Sequence, residues 1–246
     1  MKIIKIKNKE QNLELNNIYC GDCLELMSKL KDRSVDLIAT DPPYVINISS
    51  NGARTEYGDY SFVRHFFKSF LSECKRILKV GHHLYIFCDW RTYPIIWEAS
   101  LGTITLKNLV VWNVGRPRMG NYYRFSHELI AFFLNDITTY RFTGQKLPRV
   151  KILDRAKRDI WHIPDIPSTQ RNHPSQKPLP VMEEIILNSS KPNDLALDPF
   201  AGSGTTLLAA KNHNRNYLGF EINPDYVELA KKRLNGSSIK EGKNNV

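Results

Sequence analysis

Short apolar runs alternate with amphipathic segments along most of the chain, and this alternation restricts the fold more than any other feature. The runs VDLIATDPP (35–43), HLYIFCDW (83–90) and DLALDPF (194–200) have the length and turn-rich borders of buried strands. Residues 62–81 instead place apolar side chains at helical spacing and end at Gly81, which we expect to cap the helix. Two parallel strands need a long crossover connection, which is usually a helix. Strands that alternate with helices along the chain therefore predict an α/β fold. We expect a mostly parallel, twisted sheet with helices on both faces and one antiparallel strand.

The length and composition are typical of a single domain. A chain of 246 residues can bury one α/β core and carry a modest insertion. Between residues 136 and 172 the periodic pattern gives way to polar and basic residues, which predicts such an insertion, and the polar residues 237–246 predict a disordered tail. No apolar run approaches the roughly eighteen residues of a spanning helix, so we expect a cytoplasmic protein without a membrane partner.

Positive charge is concentrated in one stretch. The formal net charge is +10, and residues 107–159 hold eleven Lys or Arg, seven of them Arg, against four Asp or Glu. A polyanion is the usual partner of such an excess, and arginine suits bidentate contacts with phosphate and guanine. The alternative is a solvated basic face without a partner. The charge therefore favours a nucleic acid partner.

The cysteines and histidines do not form a metal-binding pattern. Cys20 and Cys23 make a C-x-x-C, but no second pair follows in a chain with four cysteines. The seven histidines are dispersed. We therefore expect partly buried structural cysteines and no metal site.

A glycine turn follows the predicted strand at 194–200. Residues 198–206 read DPFAGSGTT and open a helix, a place where glycines let backbone N–H groups approach a ligand. Glu221 ends the next predicted strand, nineteen residues after Gly202, where an acidic side chain can bind both hydroxyls of a ribose. Leu207 stands where a dinucleotide fingerprint has its third glycine. The turn therefore favours a nucleoside cofactor without phosphates.

A second turn, formed by Asp41, Pro42, Pro43 and Tyr44, follows the first buried strand. Prolines have no N–H group, so this turn presents a carboxylate and carbonyls with few competing donors. The Asp41 carboxylate and the Pro42 carbonyl can accept both hydrogens of a nucleobase amine and stabilise the charge that develops as it attacks. Tyr44 offers an aromatic face to an extruded base. A strand terminator with a surface tyrosine is the simpler alternative, but the pattern favours group transfer to an amine.

With these two turns, the chain resembles the S-adenosylmethionine-dependent DNA amino-methyltransferases from about residue 16 to 235. DPPY at 41–44 is similar to the catalytic motif of that family, and FAGSG at 200–204 is similar to its cofactor motif. The catalytic motif comes first, as in the β group of the family. This order implies a circularly permuted sheet in which Cys20 and Tyr217, at opposite ends of the chain, lie on neighbouring strands.

Two further segments resemble cofactor motifs of the same family. HPSQKP at 173–178 resembles the segment that helps to hold the methionine part, and YCGDCLELM at 19–27 resembles the motif whose aspartate, here Asp22, lies near the adenine. The resemblance implies that S-adenosylmethionine is the cofactor. The implied cofactor-binding residues are Asp22, Ser175, Lys177, Asp198, Phe200, Ala201, Gly202, Ser203, Gly204, Thr205 and Glu221.

The resemblance implies site-specific methylation of the N6 amine of a flipped adenine in double-stranded DNA, as part of a restriction-modification system. Within the family an aspartate at the position of Asp41 usually accompanies adenine, and cytosine N4 stays open as an alternative. The sequence also leaves open an RNA or protein amide methyltransferase, a nicotinamide oxidoreductase and a catalytically silent DNA-binding protein. A homodimer and a companion restriction endonuclease are further expected partners.

Two polar segments have predicted roles on DNA. We expect the insertion 136–172 to read the target sequence, with Arg141, Lys146, Arg149 and Lys151 on phosphates or bases. The loop at 45–60 is expected to close over the target base.

Overall fold

The computed structural model describes residues 13–44, 60–118, 122–136, 157–167, 169, 171 and 176–236. These residues form an eight-stranded sheet and six helices. The strands are β1 (Asn17–Cys20), β2 (Val35–Thr40), β3 (Leu78–Cys88), β4 (Thr105–Asn113), β5 (His127–Leu134), β6 (Ile160–His162), β7 (Leu195–Asp198) and β8 (Asn216–Glu221). The helices are α1 (Cys23–Ser28), α2 (Tyr60–Ile77), α3 (Tyr93–Ser100), α4 (Leu179–Ser189), α5 (Thr205–Asn212) and α6 (Pro224–Leu234).

The sheet has the strand order β1-β8-β7-β2-β3-β5-β4-β6. Strand β5 runs antiparallel to both of its neighbours, β3 and β4, and every other pair in the sheet is parallel. The predicted mostly parallel sheet with one antiparallel strand is therefore confirmed. As a result, seven strands end at the same edge of the sheet and β5 begins there, and the candidate site lies at this edge.

The first and last strands of the chain are neighbours. Ile18 of β1 lies opposite Gly219 of β8, and Cys20 lies opposite Glu221. The amide of Gly21 extends this pairing by donating to the carbonyl of Glu221 at 3.0 Å. The predicted circular permutation is confirmed, because the first strand completes the sheet beside the last one without a direct covalent link.

Helices pack on the apolar side chains of both faces of the sheet. Strand β2 shows the alternation: Ile38 joins the apolar cluster that contains Phe67 of α2, and Leu37 joins the cluster that contains Ile185 of α4. Helices α1, α2 and α3 pack on the first face, and α4, α5 and α6 pack on the second. This two-sided burial explains why the strands are continuous apolar runs.

The end of α2 differs from the prediction. The helix ends at Ile77 and β3 begins at the next residue, so Gly81 lies inside the strand and is not a helix cap. The Asn135 side chain performs the capping task, since its Nδ2 donates to the carbonyls of Lys75 at 3.1 Å and Leu78 at 2.7 Å. The prediction was wrong because the capping residue comes from a distant segment that local spacing does not reveal.

Part of the predicted insertion belongs to the sheet. Strand β6 pairs with β4, and its Trp161 is buried while the indole N–H donates to the Arg158 carbonyl at 3.0 Å. Residues 45–59, 137–156 and 237–246 lie outside the described residues. The target-reading role of Arg141, Lys146, Arg149 and Lys151, the closing loop and the disordered tail therefore stay predictions.

The start of α5 gives a test of the packing. Gly204 has φ +77°, and a Cβ on it would lie 2.9 Å from the Cβ of Ala230 in α6. Gly102 has φ +73° with nothing within 4 Å of such a Cβ, so it is the matched control. We expect Gly102→Ala to lower the free energy of unfolding by about 1 kcal/mol through backbone strain alone, and Gly204→Ala by about 3 kcal/mol. Urea denaturation measures both, and equal losses would contradict the close approach of α5 and α6.

Candidate functional site

A cavity of about 790 Å³ lies along the edge where the parallel strands end. Open α/β sheets bind their ligands at this edge. The cavity brings the two predicted turns together, although they are about 150 residues apart in the chain. Gly204 does not line it, and Ser175 lies outside the described residues. The predicted residues that line it are Asp22, Asp41, Pro42, Pro43, Tyr44, Lys177, Asp198, Phe200, Ala201, Gly202, Ser203, Thr205 and Glu221.

Glu221, at the end of β8, is fixed by the glycine turn. Its Oε2 accepts a hydrogen bond from the Gly202 amide at 2.9 Å, and its Oε1 accepts one from the Asn223 amide at 2.9 Å. Each carboxylate oxygen has a second lone pair, so both can still accept from the hydroxyls of a ligand. The carboxylate is therefore oriented in advance for a diol.

Most backbone N–H groups of the glycine turn already have acceptors within the protein. A phosphate at a glycine turn is usually bound by several free N–H groups. Here four N–H groups donate within the protein: Phe200 to the Asp198 side chain, Ala201 to the Phe220 carbonyl, Gly202 to the Glu221 side chain and Gly204 to the Ala201 carbonyl. These bonds leave the turn poorly equipped for a diphosphate, in line with the preference for a nucleoside without phosphates.

The helix that follows the turn packs closely on β8 although position 207 is not a glycine. A Cβ on Gly219 of β8 would lie 2.5 Å from Leu207 Cδ1 and 3.0 Å from Ala201 Cβ. The glycine that lets helix and strand approach is therefore on the strand, and Leu207 fills the space above it.

Asp198, at the end of β7, joins the two turns. Its Oδ1 accepts from the Thr40 hydroxyl at 2.8 Å and from the Phe200 amide at 3.1 Å, and its Oδ2 accepts from the Thr206 hydroxyl at 2.6 Å. Burial raises the pKa of Asp198 to about 6, although these hydrogen bonds oppose the shift. A direct contact between Asp198 and a cofactor stays a prediction, whereas its role as a link is visible.

Other predicted cofactor residues shape the walls of the cavity. Asp22 caps α1, since its Oδ1 accepts from the Glu25 amide at 3.0 Å. The Phe200 ring packs 5.6 Å from the ring of Phe70. The hydroxyls of Ser203 and Thr205 accept from Arg233 of α6 at 2.8 and 3.2 Å. Their contacts with a cofactor stay predictions.

Asp41 is paired on both oxygens. The Tyr44 hydroxyl donates to Oδ1 at 2.8 Å, and the ammonium of Lys177 donates to Oδ2 at 2.5 Å. Lys177, which the resemblance implied for the methionine part of the cofactor, thus lies at the acceptor turn. Its Nζ also lies 5.8 Å from the Tyr44 ring centroid and 5.2 Å from that of Phe87.

A chain of alternating charges, here called the ladder, continues from Lys177 through Glu128, Arg118, Asp165 and Arg171. The sequence did not predict these four residues as part of the site. The ammonium lies 3.2 Å from Glu128 Oε2, and Arg118 donates to Glu128 Oε1. Arg118 also donates to Asp165 Oδ2 at 2.8 Å, where Arg171 donates at 2.6 Å. One signal was present in the sequence: Glu128 is an acidic residue inside the apolar strand HELIAFFL. The others come from scattered segments without a pattern.

The ladder sets the charge states around Asp41. Burial raises the pKa of Asp41 above its usual range, although the Lys177 ammonium opposes the shift. Burial acts in the same direction on Glu128, but Lys177 and Arg118 outweigh it and lower the pKa of Glu128. Burial disfavours the charged form of Lys177, yet Asp41 and Glu128 prevail and raise its pKa. Glu128 and Lys177 are therefore held charged, and Asp41 is the more easily protonated carboxylate.

Comparisons with known proteins identify the family of the chain. Residues 35–232 match the family model described as DNA methylase, which is named for N6 and N4 methyltransferases. The DNA adenine methyltransferase YhdJ of Escherichia coli (strain K12) is 30% identical over 249 residues, covering 92% of this chain and 84% of that protein. The Type II methyltransferase M2.MboI of Moraxella bovis is 29% identical over 236 residues, covering 88% of this chain and 86% of that protein.

The chain is also similar to a solved structure of a complex with SAM. The M1.HpyAVI–SAM complex is 27% identical, with a TM-score of 0.64, and the match covers 88% of this chain and 98% of that one. Together with the family match over most of the sequence, this similarity settles the class of protein. The chain belongs to the DNA methylase family, and the predicted membership is confirmed.

The buried end of the ladder gives a stability test. Asp165 has 1% of its side chain exposed and is the shared acceptor of Arg118 and Arg171. Asp165→Ala removes a buried acceptor that these two cations share and that Arg116 approaches at 3.6 Å, so we expect a loss of about 3 kcal/mol in the free energy of unfolding. The exposed pair Lys231–Glu228 is the control, and Glu228→Ala should cost less than about 0.5 kcal/mol. Similar losses in urea denaturation would show that the ladder contributes no more than a surface ion pair.

Proposed function

We propose that this protein transfers a methyl group from S-adenosylmethionine to the N6 amine of adenine in double-stranded DNA. The observation that carries the proposal is the shared cavity: the carboxylate of the acceptor turn and the glycine turn with Glu221 line the same space. A cofactor at the glycine turn and an amine at Asp41 would therefore be within reach of each other. Membership of the DNA methylase family supports the same reaction.

The described residues fit the cofactor. S-adenosylmethionine supplies an electrophilic methyl group on a positively charged sulfur when it is bound. Its ribose diol suits Glu221, whose oxygens are already oriented, and it carries no phosphate that would need the occupied N–H groups of the glycine turn. Acidic side chains that line the cavity, among them Asp22 and Glu221, suit its positive charge. Ser175, the remaining predicted cofactor residue, keeps its role as a proposal.

The acceptor turn would prepare the amine. The lone pair of an exocyclic amine is delocalised into the ring, so acceptors for both N–H groups favour a more tetrahedral and more nucleophilic nitrogen. Asp41 has lone pairs to spare, and Pro42 brings a carbonyl without an N–H group. As the nitrogen–methyl bond formed and the sulfur–methyl bond broke, the sulfur would leave as a neutral thioether. A charged Asp41 would stabilise the positive charge on the nitrogen until its proton passed to solvent.

A DNA-binding face is proposed at the same edge of the sheet. Tyr122 and Tyr123, between β4 and β5, are 97% and 91% exposed. Arg116 and Arg124 belong to the same connection, which follows the carboxyl end of β4. Aromatic rings that stack on bases and arginines that bind phosphates are typical of nucleic acid contacts. Target reading by the insertion 136–172 is part of this proposal.

Adenine is the favoured base. The relatives YhdJ and M2.MboI are named a DNA adenine methyltransferase and a Type II methyltransferase, respectively. Asp41 agrees with adenine by its resemblance to the family motif. The family model includes N4 methyltransferases as well, so cytosine N4 is the second candidate.

Cellular context is proposed together with the function. No helix in the described part of the chain is long and apolar enough to cross a membrane. We propose action on DNA in the cytoplasm, within a restriction-modification system with a companion endonuclease, and a homodimer as the working form. The Type II name of the relative M2.MboI supports the place in a restriction-modification system.

Expression in a host that lacks DNA methylation tests the reaction. We expect genomic DNA to gain N6-methyladenine at one short sequence. Asp41→Ala should abolish the modification because it removes the acceptor carboxylate, while the dissociation constant for S-adenosylmethionine, measured by calorimetry, changes less than about threefold. Unmodified DNA from a folded, cofactor-binding wild type would contradict the proposed function.

A further inference from the structure

Lys177 is more closely engaged with the acceptor turn than its motif implied. Its side chain is 9% exposed, and its ammonium lies 2.5 Å from Asp41 Oδ2 and 3.2 Å from Glu128 Oε2. The rings of Tyr44 and Phe87 cover it on further sides. A buried ammonium enclosed in this way is directed towards the two carboxylates, one after β2 and one at the start of β5.

We propose that Lys177 is a positioning residue for methyl transfer: its ammonium keeps the Asp41 carboxylate charged and oriented towards the target amine, while Glu128 holds Lys177 in place. This inference rests on the proposed function, since it assigns a role in that reaction. It differs from the role implied by the HPSQKP resemblance, in which Lys177 helps to hold the cofactor.

The division of charge supports this role. Asp41 and Glu128 share one ammonium inside a largely buried site, and without it two carboxylates would face each other. In such a pair one carboxyl takes up a proton. Glu128 keeps Arg118 as a second cation, whereas Lys177 is the cation that contacts Asp41 in the described residues. The proton would therefore go to Asp41, whose protonated form has lost acceptor capacity.

Glu128 also directs the ammonium. Its Oε2 is buried and forms no hydrogen bond within the described residues, although it lies 3.2 Å from Lys177 Nζ. The shorter contact of the ammonium, at 2.5 Å, goes to Asp41. An ammonium has three N–H groups, so Glu128 attracts Lys177 by its charge while one N–H group donates to the acceptor turn.

The other titratable groups that face Asp41 are Tyr44, Cys88 and Asp198. Burial raises the pKa of Tyr44 well above its usual range and that of Cys88 to about 12, so both are neutral near pH 7. Burial raises the pKa of Asp198 to about 6, so this carboxyl is mostly charged at pH 7 and above. Farther along the ladder, Glu128 and Asp165 raise the pKa of Arg118 against the effect of burial, so Arg118 stays charged throughout this range.

The test compares Lys177→Met with Lys79→Met. Lys79 also binds a buried carboxylate, Asp36, at 2.6 Å, but does so at the opposite edge of the sheet. Lys177→Met should lower the single-turnover methylation rate at pH 7 by about 100-fold, with the rate recovering as the pH is raised, because Asp41 must lose its proton. Adding Glu128→Gln should restore about tenfold by removing the like charge. Lys79→Met should leave the rate and its pH profile unchanged.

Cofactor binding and carboxyl NMR complete the test. The dissociation constant for S-adenosylmethionine should stay within about threefold of wild type in Lys177→Met. In protein labelled with carbon-13 at aspartate carboxyls, the signal that Asp41→Asn removes should indicate a charged group in wild type and a protonated one in Lys177→Met at pH 7. This second readout does not need catalysis.

Three results would overturn the inference. If Lys177→Met bound S-adenosylmethionine tenfold more weakly but had a normal rate at saturating cofactor, the role of Lys177 would be to bind the cofactor. If Lys177→Met lowered the rate but did not change the pH profile, and Glu128→Gln did not restore activity, Lys177 would have only a structural role. An Asp41 signal that stays charged in Lys177→Met would refute the inference even in an active enzyme. Failure of the proposed function is distinct, since a wild type that does not methylate DNA would refute the reaction while the NMR result would still decide the charge of Asp41.

Discussion

The buried carboxylate of Asp198 is the constraint on which the site depends. It accepts hydrogen bonds from Thr40, at the end of β2, and from Thr206, at the start of α5. Because Asp41 directly follows Thr40 and the glycine turn begins at Asp198, this one side chain links the amine site to the cofactor site. Burial without these partners would cost several kcal/mol, so the hydrogen bonds and the spacing are maintained together.

The cavity has two differently constructed ends. At the glycine turn, backbone amides and the Glu221 carboxylate satisfy one another, and no ion pair is needed to hold them. At the acceptor turn, Asp41 depends on a ladder of charges that begins with Lys177 and extends through Glu128 and Arg118. The first end suits a neutral sugar, whereas the second suits a reaction in which charge develops on the substrate.

The sequence predicts the parts that depend on local pattern. Apolar runs indicated the strands. The resemblance of the motif order to the β group of the family implied that the strand of Cys20 lies beside the strand of Tyr217, and the pairing of Cys20 with Glu221 confirms it. Asn135 as the cap of α2 could not be predicted, since it meets that helix only after the sheet has formed. The same holds for Arg118, Glu128 and Lys177, whose contact depends on three segments converging at one edge.

The most direct measurement uses purified protein, double-stranded DNA and S-adenosylmethionine with a deuterated methyl group. Mass spectrometry of the digested nucleosides identifies both the base and the source of the methyl carbon. The proposed reaction predicts trideuteromethyl adenine modified at N6. Trideuteromethyl cytosine modified at N4 would contradict the choice of base, and the absence of deuterium in any base would contradict methyl transfer to DNA.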